Sequence, residues 1–371
     1  MTPSHFRYFL VAALAVVFGA HAFFYFSVVR FFGIAPGWNR RMLAVVLALL
    51  SVSFILASFL AHRQETFFTR TFYIAGGTWL GLFTNLLMAT VACRLVLLGF
   101  RFAGWSLSSA VIASVLLGMA VLYTGYGVWN AFNPVVRRVS VTVKGLPDGW
   151  KGKTVVQLSD VHLGHVYKRE FLKGVVGMVN GLHPDMVVIT GDLFDGMDGA
   201  LSELAAPLRD LNAPDGVFFV TGNHETYLGV DKAFSILEGS KVTVMDDRVL
   251  DIRGLQLVGV GFPKRGMTRD VQKTILSLPG FVPGKPTLLL YHSPGGSDGA
   301  MAAGVNLQLS GHTHKGQIFP FGFITDYVYK GRDYGIYSSG DYTLYTTDGV
   351  GTWGPPMRTG NRPEIAAITL N

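Results

Sequence analysis

The segment SGHTHKGQ at residues 310–317 places two histidines one residue apart, directly after the apolar run VNLQL. In an extended segment, residues two apart point the same way, so His312 and His314 can reach one point in space. Two imidazoles placed in this way suit a metal ion. The alternative is a pair of solvated histidines that bond to backbone groups on a surface turn, and the pair alone leaves both interpretations open.

Polar side chains follow four other apolar runs of the chain in the same manner. TVVQL is followed by Asp160 and His162, MVVIT by Asp192 and Asp195, VFFV by Asn223 and His224, and TLLLY by His292. Taken singly, each of these residues could be an ordinary turn residue or helix cap. In open α/β sheets, however, ligands bind at the carboxyl ends of strands, where glycine lets the backbone approach closely. Five such strand ends predict one shared site.

The elements that must position these residues lie after Asn133. Short β-rich runs recur there: VSVTV at 139, TVVQL at 154, MVVIT at 186, VFFV at 217, LQLVGV at 255, TLLLY at 287, VNLQL at 305 and IAAITL at 365. Helix-like stretches at 169–182 and 201–211 separate some of them. Continuous apolar strands that alternate with helices predict an α/β domain whose sheet is covered on both faces.

The first third of the chain has a different character. Four apolar stretches, at about 8–29, 42–60, 72–98 and 107–129, are each about as long as the roughly 20 helical residues that cross a bilayer. Buried helices of a large soluble protein are the alternative, and a cleaved signal peptide fits poorly because three further stretches follow the first. We therefore predict a four-span transmembrane region at 1–133 and an α/β domain at 134–371.

Charge supports this division of the chain. Up to Asn133 there are eight arginines and one acidic residue, Glu65, whereas 23 basic residues balance 23 acidic residues from Pro134 onward. A nucleic-acid-binding protein should concentrate its positive charge on the globular part, so this class is disfavoured. The positive-inside rule favours a cytoplasmic catalytic domain by about one residue. The arginines on the same side of the membrane as this domain are Arg7, Arg63, Arg70, Arg137 and Arg138. Those on the opposite side are Arg30, Arg40, Arg41 and Arg101.

The order Asp-x-His, Gly-Asp, Gly-Asn-His, His, Gly-His-x-His over residues 150–371 resembles that of the calcineurin-like metallophosphoesterases. The segment SGHTHKGQIFPF and the tail GVGTWGPPMRTGNRPEIAAITL are similar to the bacterial membrane-associated branch of that family. That branch commonly has Gly-His-Thr-His-Gly-Gly-Gln, and Lys315 replaces the first of those glycines here, a change that would put a cation beside the substrate. The resemblance implies a four-layer α/β/β/α sandwich.

The resemblance also implies a centre of two divalent metal ions. One metal would be bound by Asp160, His162 and His314, the other by Asn223, His292 and His312, and Asp192 would bridge both. Mixed nitrogen and oxygen ligands accept Mn, Fe or Zn. Two carboxylates against two divalent cations leave a net positive charge, which attracts a phosphate and makes a metal-bound hydroxide available near neutral pH.

Further roles carried over from the family concern residues beside the metals. His224 would stabilise the transferring phosphoryl group or protonate the leaving oxygen; its alternative is a structural histidine that caps the next helix. Asp195 either orients a metal ligand or ends a turn. Basic residues that could meet a second phosphate are Lys315, Lys330 and Arg332, with Lys264, Arg265 and Arg358 as further candidates.

The expected function is hydrolysis of a phosphodiester, phosphomonoester or pyrophosphate bond, and the alternative is a binding module of the same fold that has lost catalysis. Every expected ligand position is filled, which favours the enzyme. The aromatic segment IFPFGFITDYVY could hold acyl chains of a lipid-linked substrate such as UDP-2,3-diacylglucosamine, or it could be ordinary packing. We expect a multi-pass protein of the bacterial inner membrane with a cytoplasmic catalytic domain.

Overall fold

The computed structural model describes residues 3–197 and 199–371, with side chains in the first helix described at Tyr8 and from Val11 onward. Arg7, which was counted for the membrane orientation, therefore lies outside the described side chains. Its contacts divide the chain into two compact units. The first extends to Val128 and includes Gly354–Met357, and the second contains Trp129–Trp353 and Arg358–Asn371. The predicted boundary at residue 133 stays a prediction.

The first unit consists of long apolar helices. The first three predicted stretches each lie within one of them, and the fourth, at about 107–129, begins two residues before its helix. They are α1 (Pro3–Phe31), α2 (Trp38–Arg63), α3 (Phe67–Phe102) and α4 (Ser109–Ala131), the last turn of which belongs to the second unit. By length and composition all four can cross a membrane. The helices α2 and α3 pack closely at Gly76, where a Cβ atom would lie 3.1 Å from the Cα of Phe54.

The second unit contains two six-stranded sheets. The first has the order β1-β12-β2-β3-β4-β5 and the second the order β10-β11-β9-β8-β7-β6. The strands are β1 (Val135–Val141), β2 (Thr154–Leu158), β3 (Met186–Thr190), β4 (Val217–Val220), β5 (Val242–Val244), β6 (Arg248–Ile252), β7 (Leu255–Gly259), β8 (Thr287–Leu290), β9 (Leu307–Ser310), β10 (Gly335–Ser339), β11 (Tyr342–Thr346) and β12 (Glu364–Leu370). Strands β2 to β5 run parallel, as do β7, β8 and β9.

Helices cover the outer face of each sheet. They are α5 (Arg169–Asn180), α6 (Leu201–Ala205), α7 (Asn223–Leu228), α8 (Val230–Leu237), α9 (Val271–Ser277) and α10 (Ser297–Ala302), and a further helix, α11 (Gly322–Tyr329), contains no buried residue. Leu172 of α5 packs in one core cluster with Val156 of β2, and Ile275 of α9 packs with Leu289 of β8. Between the sheets, Val188 and Leu257 share a third cluster. The α/β/β/α arrangement expected from the resemblance is confirmed.

Some elements differ from those that the sequence pattern alone predicts. The pattern indicates one sheet covered on both faces, whereas there are two. The central strands are apolar on both faces because one face of their sheet packs against helices and the opposite face packs against the second sheet. Strands β5, β6, β10 and β11 were not predicted; β6 and β10 are partly exposed edge strands. The predicted helix 201–211 is α6 followed by a 3-10 helix at Ala206–Asp210 that contains Pro207.

Candidate metal centre

The polar residues predicted from the strand ends meet in one place. Strands β2, β3 and β4 are parallel neighbours in one sheet, and β8 and β9 are parallel neighbours in the other, so their carboxyl ends face a common site. Three overlapping groups have potential ligand atoms within 4.8 Å of one another. They are Asp160, His162 and His314; His162, Asp192 and His224; and Asp192, His292 and His312.

The backbone at these residues is held in an uncommon conformation. Positive φ angles occur at Asp160 (54°), His162 (53°), Asp192 (51°), His312 (75°) and His314 (48°). Left-handed backbone costs a non-glycine residue about 1–2 kcal/mol and clusters at functional sites. The tight packing of the surrounding loops stabilises it, since a Cβ atom on Gly222 would lie 2.2 Å from Oδ1 of Asp192.

Two pairs of imidazole nitrogens face each other across the site. Nε2 of His162 lies 3.1 Å from Nε2 of His314, and Nδ1 of His312 lies 3.1 Å from Nε2 of His292. One nitrogen of each pair can carry a proton and donate it to the other. The Oδ1 atom of Asn223 is also buried without a hydrogen-bond partner among the described residues. This group of closely spaced imidazole nitrogens and one unpaired amide oxygen fits the nitrogen and oxygen ligand set of divalent metal ions.

Charges in the site favour an ionised Asp192. Burial raises the pKa of its carboxyl, but the opposing effect of His292 and His224 is larger and holds that pKa well below its usual value. His292 donates from Nδ1 to the carbonyl of Thr190 at 2.7 Å, which leaves Nε2 at 3.2 Å from Oδ2 of Asp192. Although burial opposes it, this carboxylate raises the pKa of His292 to about 9.

The two histidines of the GHTH segment remain neutral. Burial, followed by the charge of His292, lowers the pKa of His312 to about 3. Burial, His162 and the Arg358 guanidinium together hold the pKa of His314 well below its usual value. Neutral imidazole is the form that binds metal, so both side chains are in the protonation state that a ligand requires.

His224 is fixed with one ring nitrogen towards the protein. Its backbone N–H donates to Oδ1 of Asp192 at 2.9 Å, and its Nδ1 donates to the backbone carbonyl of Asp195 at 2.9 Å. Its Nε2 is therefore the ring nitrogen left for chemistry. Burial lowers the pKa of His224, but Asp192 and Asp195 raise it by more, so the net shift is upward. The carboxylate of Asp195 also lies 3.4 Å from Nδ1 of His162, a position from which it can orient that ring.

Glu225 is a residue of this site that was not predicted from the sequence. Its fully buried carboxylate accepts hydrogen bonds from the backbone N–H groups of Asp192 (2.9 Å), Phe194 (3.1 Å) and Gly222 (2.7 Å). Burial and the charge of Asp192 raise the pKa of Glu225 to about 7. The signal that could have identified it is a glutamate at the third position of α7, as in a capping box.

The basic candidates are placed in different environments. The ammonium of Lys315 lies 4.4 Å from the ring centre of Tyr334, and Lys330 is exposed at the end of α11. Arg332 pairs with Asp298 at 2.5 Å. The prediction that Arg358 could contact a phosphate is wrong, because its guanidinium is fully buried and donates hydrogen bonds to His314 and to backbone carbonyls.

Comparison with known proteins decides the family. Residues 153–316 match the family model described as Calcineurin-like phosphoesterase. A Bos taurus protein named "Transmembrane protein with metallophosphoesterase domain" is 32% identical over 359 residues, an alignment that covers 85% of this chain and 80% of the relative. The chain belongs to the calcineurin-like phosphoesterases.

Bacterial relatives of this phosphoesterase match it at a similar sequence identity and over most of their own length. An uncharacterized metallophosphoesterase of Campylobacter jejuni is 31% identical over 330 residues, covering 85% of this chain and 86% of the relative. An uncharacterized metallophosphoesterase of Bacillus subtilis is 31% identical over 268 residues, covering 66% of this chain and 90% of the relative. This chain is therefore a metal-dependent phosphoester hydrolase, and its four apolar helices make it a membrane protein.

Proposed function

We propose that this phosphoesterase binds two divalent metal ions through the seven residues carried over from the family. Asp160, His162 and His314 form one site, Asn223, His292 and His312 form the other, and Asp192 bridges them. The observation that carries the proposal is the position of Asp192, since its Oδ2 lies 3.2 Å from Nε2 of His292 and 3.9 Å from Nε2 of His162. One carboxylate thus borders both groups of histidines.

The remaining residues act around this centre. Two bound divalent ions would lower the pKa of a coordinated water and offset negative charge on the transferring phosphoryl group. Mn, Fe and Zn all suit these ligands. His224 keeps Nδ1 on the carbonyl of Asp195, so its Nε2 stabilises the transferring group or gives a proton to the leaving oxygen. Asp195 orients His162, and Glu225 fixes the loop that carries Asp192.

We further propose a lipid-linked substrate, of which UDP-2,3-diacylglucosamine is one example. Helix α11 contains no buried residue, and it exposes Phe323, Ile324, Tyr327 and Val328 to solvent. At the end of the same helix, the ring of Tyr329 lies 6.3 Å from that of His312. An apolar surface that begins beside the metal ligands suits acyl chains attached to a phosphate.

The proposed location follows from the membrane region. Only residues 132–134 separate α4 from β1, so a short segment joins the proposed membrane region of residues 1–133 to the proposed catalytic domain of residues 134–371. We place this multi-pass protein in a bacterial inner membrane with the catalytic domain in the cytoplasm. The count of flanking arginines supports that side, and a nucleotide-linked lipid would be found there.

Hydrolysis of bis(p-nitrophenyl) phosphate tests the catalytic part of the proposal. The full chain, stripped of metal and then given manganese, should regain turnover as two metal ions bind per chain. If both ions bind and no hydrolysis occurs, the binding module without catalysis becomes the better interpretation. A stoichiometry of one ion at full activity would contradict the two-metal centre.

The lipid substrate is tested with the full chain in lipid nanodiscs. Ser replacements of Phe323 and Ile324 should lower kcat/KM for an acylated nucleotide pyrophosphate by roughly tenfold or more, because apolar contacts with the acyl chains are lost. Hydrolysis of the soluble diester should not change. Val282→Ser removes a similarly exposed apolar side chain elsewhere and is the control. An equal loss on both substrates would mean that α11 does not select lipid.

A further inference from the structure

A cavity of about 550 Å³ lies within the first unit, where α1 and α3 end and α4 begins. Its lining is strongly basic: Arg30, Arg94 and Arg101 contribute guanidinium groups, and Phe31, Leu97, Leu98 and Ser109 complete the walls. The phosphoesterase reaction uses none of these residues. The cavity therefore combines three cations with apolar walls, and it lies among helices that are long and apolar enough to cross a membrane.

Residues 1–133 contain a single carboxylate, and it does not line this cavity. Glu65 is the only acidic residue up to Asn133, and it lies between α2 and α3. The cavity is at the opposite end of α3, beside Leu97, Leu98 and Arg101. Uncompensated charge among membrane helices is costly, and ionisable residues in such places usually serve a ligand or a pathway.

Arg94 is the cation that distinguishes this cavity from an ordinary basic flank. It lies eight residues before the end of α3, about 12 Å along the helix axis. Its Nε donates to Oγ of Ser27 in α1 at 2.9 Å, and its guanidinium carbon lies 4.8 Å from the ring centre of Phe23. These contacts hold the side chain between α1 and α3. Within the described residues, its two terminal nitrogens have no hydrogen-bond partner.

We infer that this cavity binds the phosphate headgroup of an anionic membrane lipid. A planar guanidinium donates two parallel hydrogen bonds to phosphate, and three of them line one space. Leu97 and Leu98 supply apolar surface for the start of the acyl chains. Basic pockets between transmembrane helices bind anionic headgroups in this way, and the volume lies in the range of small-molecule sites.

Native mass spectrometry of the full chain can count bound lipids. The probes are phosphatidylglycerol, phosphatidylcholine with the same acyl chains, and inorganic phosphate. Phosphatidylglycerol should remain bound after delipidation and should exceed phosphatidylcholine. Arg94→Gln should weaken phosphatidylglycerol binding roughly fivefold, and the double variant R30Q/R101Q should weaken it by more, as expected for loss of one and two cations near lipid phosphate.

Arg41→Gln is the matched control, because it removes one exposed arginine from the same end of the helices without lining the cavity. Thermal unfolding in the same detergent shows whether each variant is folded; if Arg94→Gln is not, Arg94→Lys and R30Q/R101Q carry the test. Equal losses in the Arg41 and Arg94 variants would overturn the site. If Arg94→Gln loses binding of inorganic phosphate but keeps binding of phosphatidylglycerol, the proposal that the ligand of this cavity is a lipid would be overturned.

Discussion

The guanidinium of Arg358 donates a hydrogen bond to Nδ1 of His314 at 3.1 Å. A guanidinium can only donate, so this ring nitrogen accepts. Arg358 also donates to the carbonyls of Asp348 (2.6 Å) and Gly351 (2.6 Å), and Asn361 donates to the carbonyl of His314. Arg358 and Asn361 therefore hold the loop that carries His314, and Arg358 is a positioning residue for a candidate metal ligand.

Arg358→Lys should weaken metal binding without removing a metal ligand. Lysine keeps the charge, but it cannot donate hydrogen bonds to the His314 ring and to both carbonyls at once. Loss of such supporting contacts lowers metal affinity by about 10–100-fold. Manganese titration of the metal-free protein measures this effect. Excess manganese should restore kcat, which it would not do for a misfolded variant. Exposed Arg362→Lys is the control; equal affinity in both variants would contradict the positioning role.

Most residues of the candidate site could be proposed from the sequence because they follow recognisable apolar strands. Asp160, Asp192 and His292 come shortly after β2, β3 and β8, and parallel strands bring such residues to one edge. Glu225 and Arg358 could not be placed in the same way, since their partners are mainly backbone groups of distant loops. A sequence specifies such contacts only once the chain is folded. The edge strands β6 and β10 were missed because partial exposure interrupts their apolar pattern.

Asp192→Ala should remove or disorder both metal ions, whereas Asn223→Ala should mainly weaken one. The reason is that the Asp192 carboxylate borders both histidine groups, while Asn223 offers one neutral oxygen. Elemental analysis after gel filtration gives the metal content of each variant. Two tightly bound ions in the Asp192 variant would contradict the bridging assignment.

His224→Ala should retain both metal ions and lose most of kcat. An acid or a hydrogen-bond donor that acts on the leaving oxygen contributes about 10²–10⁴-fold, and only this contribution is removed. Steady-state kinetics with parallel metal analysis separates the two effects. His183→Ala, at an exposed position, should behave as the wild type. Loss of metal from the His224 variant would instead make this histidine a ligand.

Glu225→Gln should destabilise the domain. The native carboxylate accepts three backbone N–H groups, and an amide turns one acceptor into a donor that faces them. Leaving a buried donor unsatisfied costs about 1–3 kcal/mol. Urea unfolding should show a loss of this size, against little change for the exposed Glu238→Gln. Unchanged stability would mean that water or a rearranged loop replaces the carboxylate.

Lys315→Gly should make the protein more stable and its substrate binding weaker. Lys315 has φ 45° and ψ 41°, a left-handed conformation in which glycine avoids a cost of about 1–2 kcal/mol. The same change removes an ammonium next to His314. If that cation contacts a second phosphate, KM for a pyrophosphate substrate should rise by roughly tenfold, as for a lost hydrogen bond to a charged group, while KM for a simple diester should not. Lys315→Arg should keep the lower KM. A glycine variant that is stabilised and has unchanged KM on both substrates would show that Lys315 does not contact the substrate.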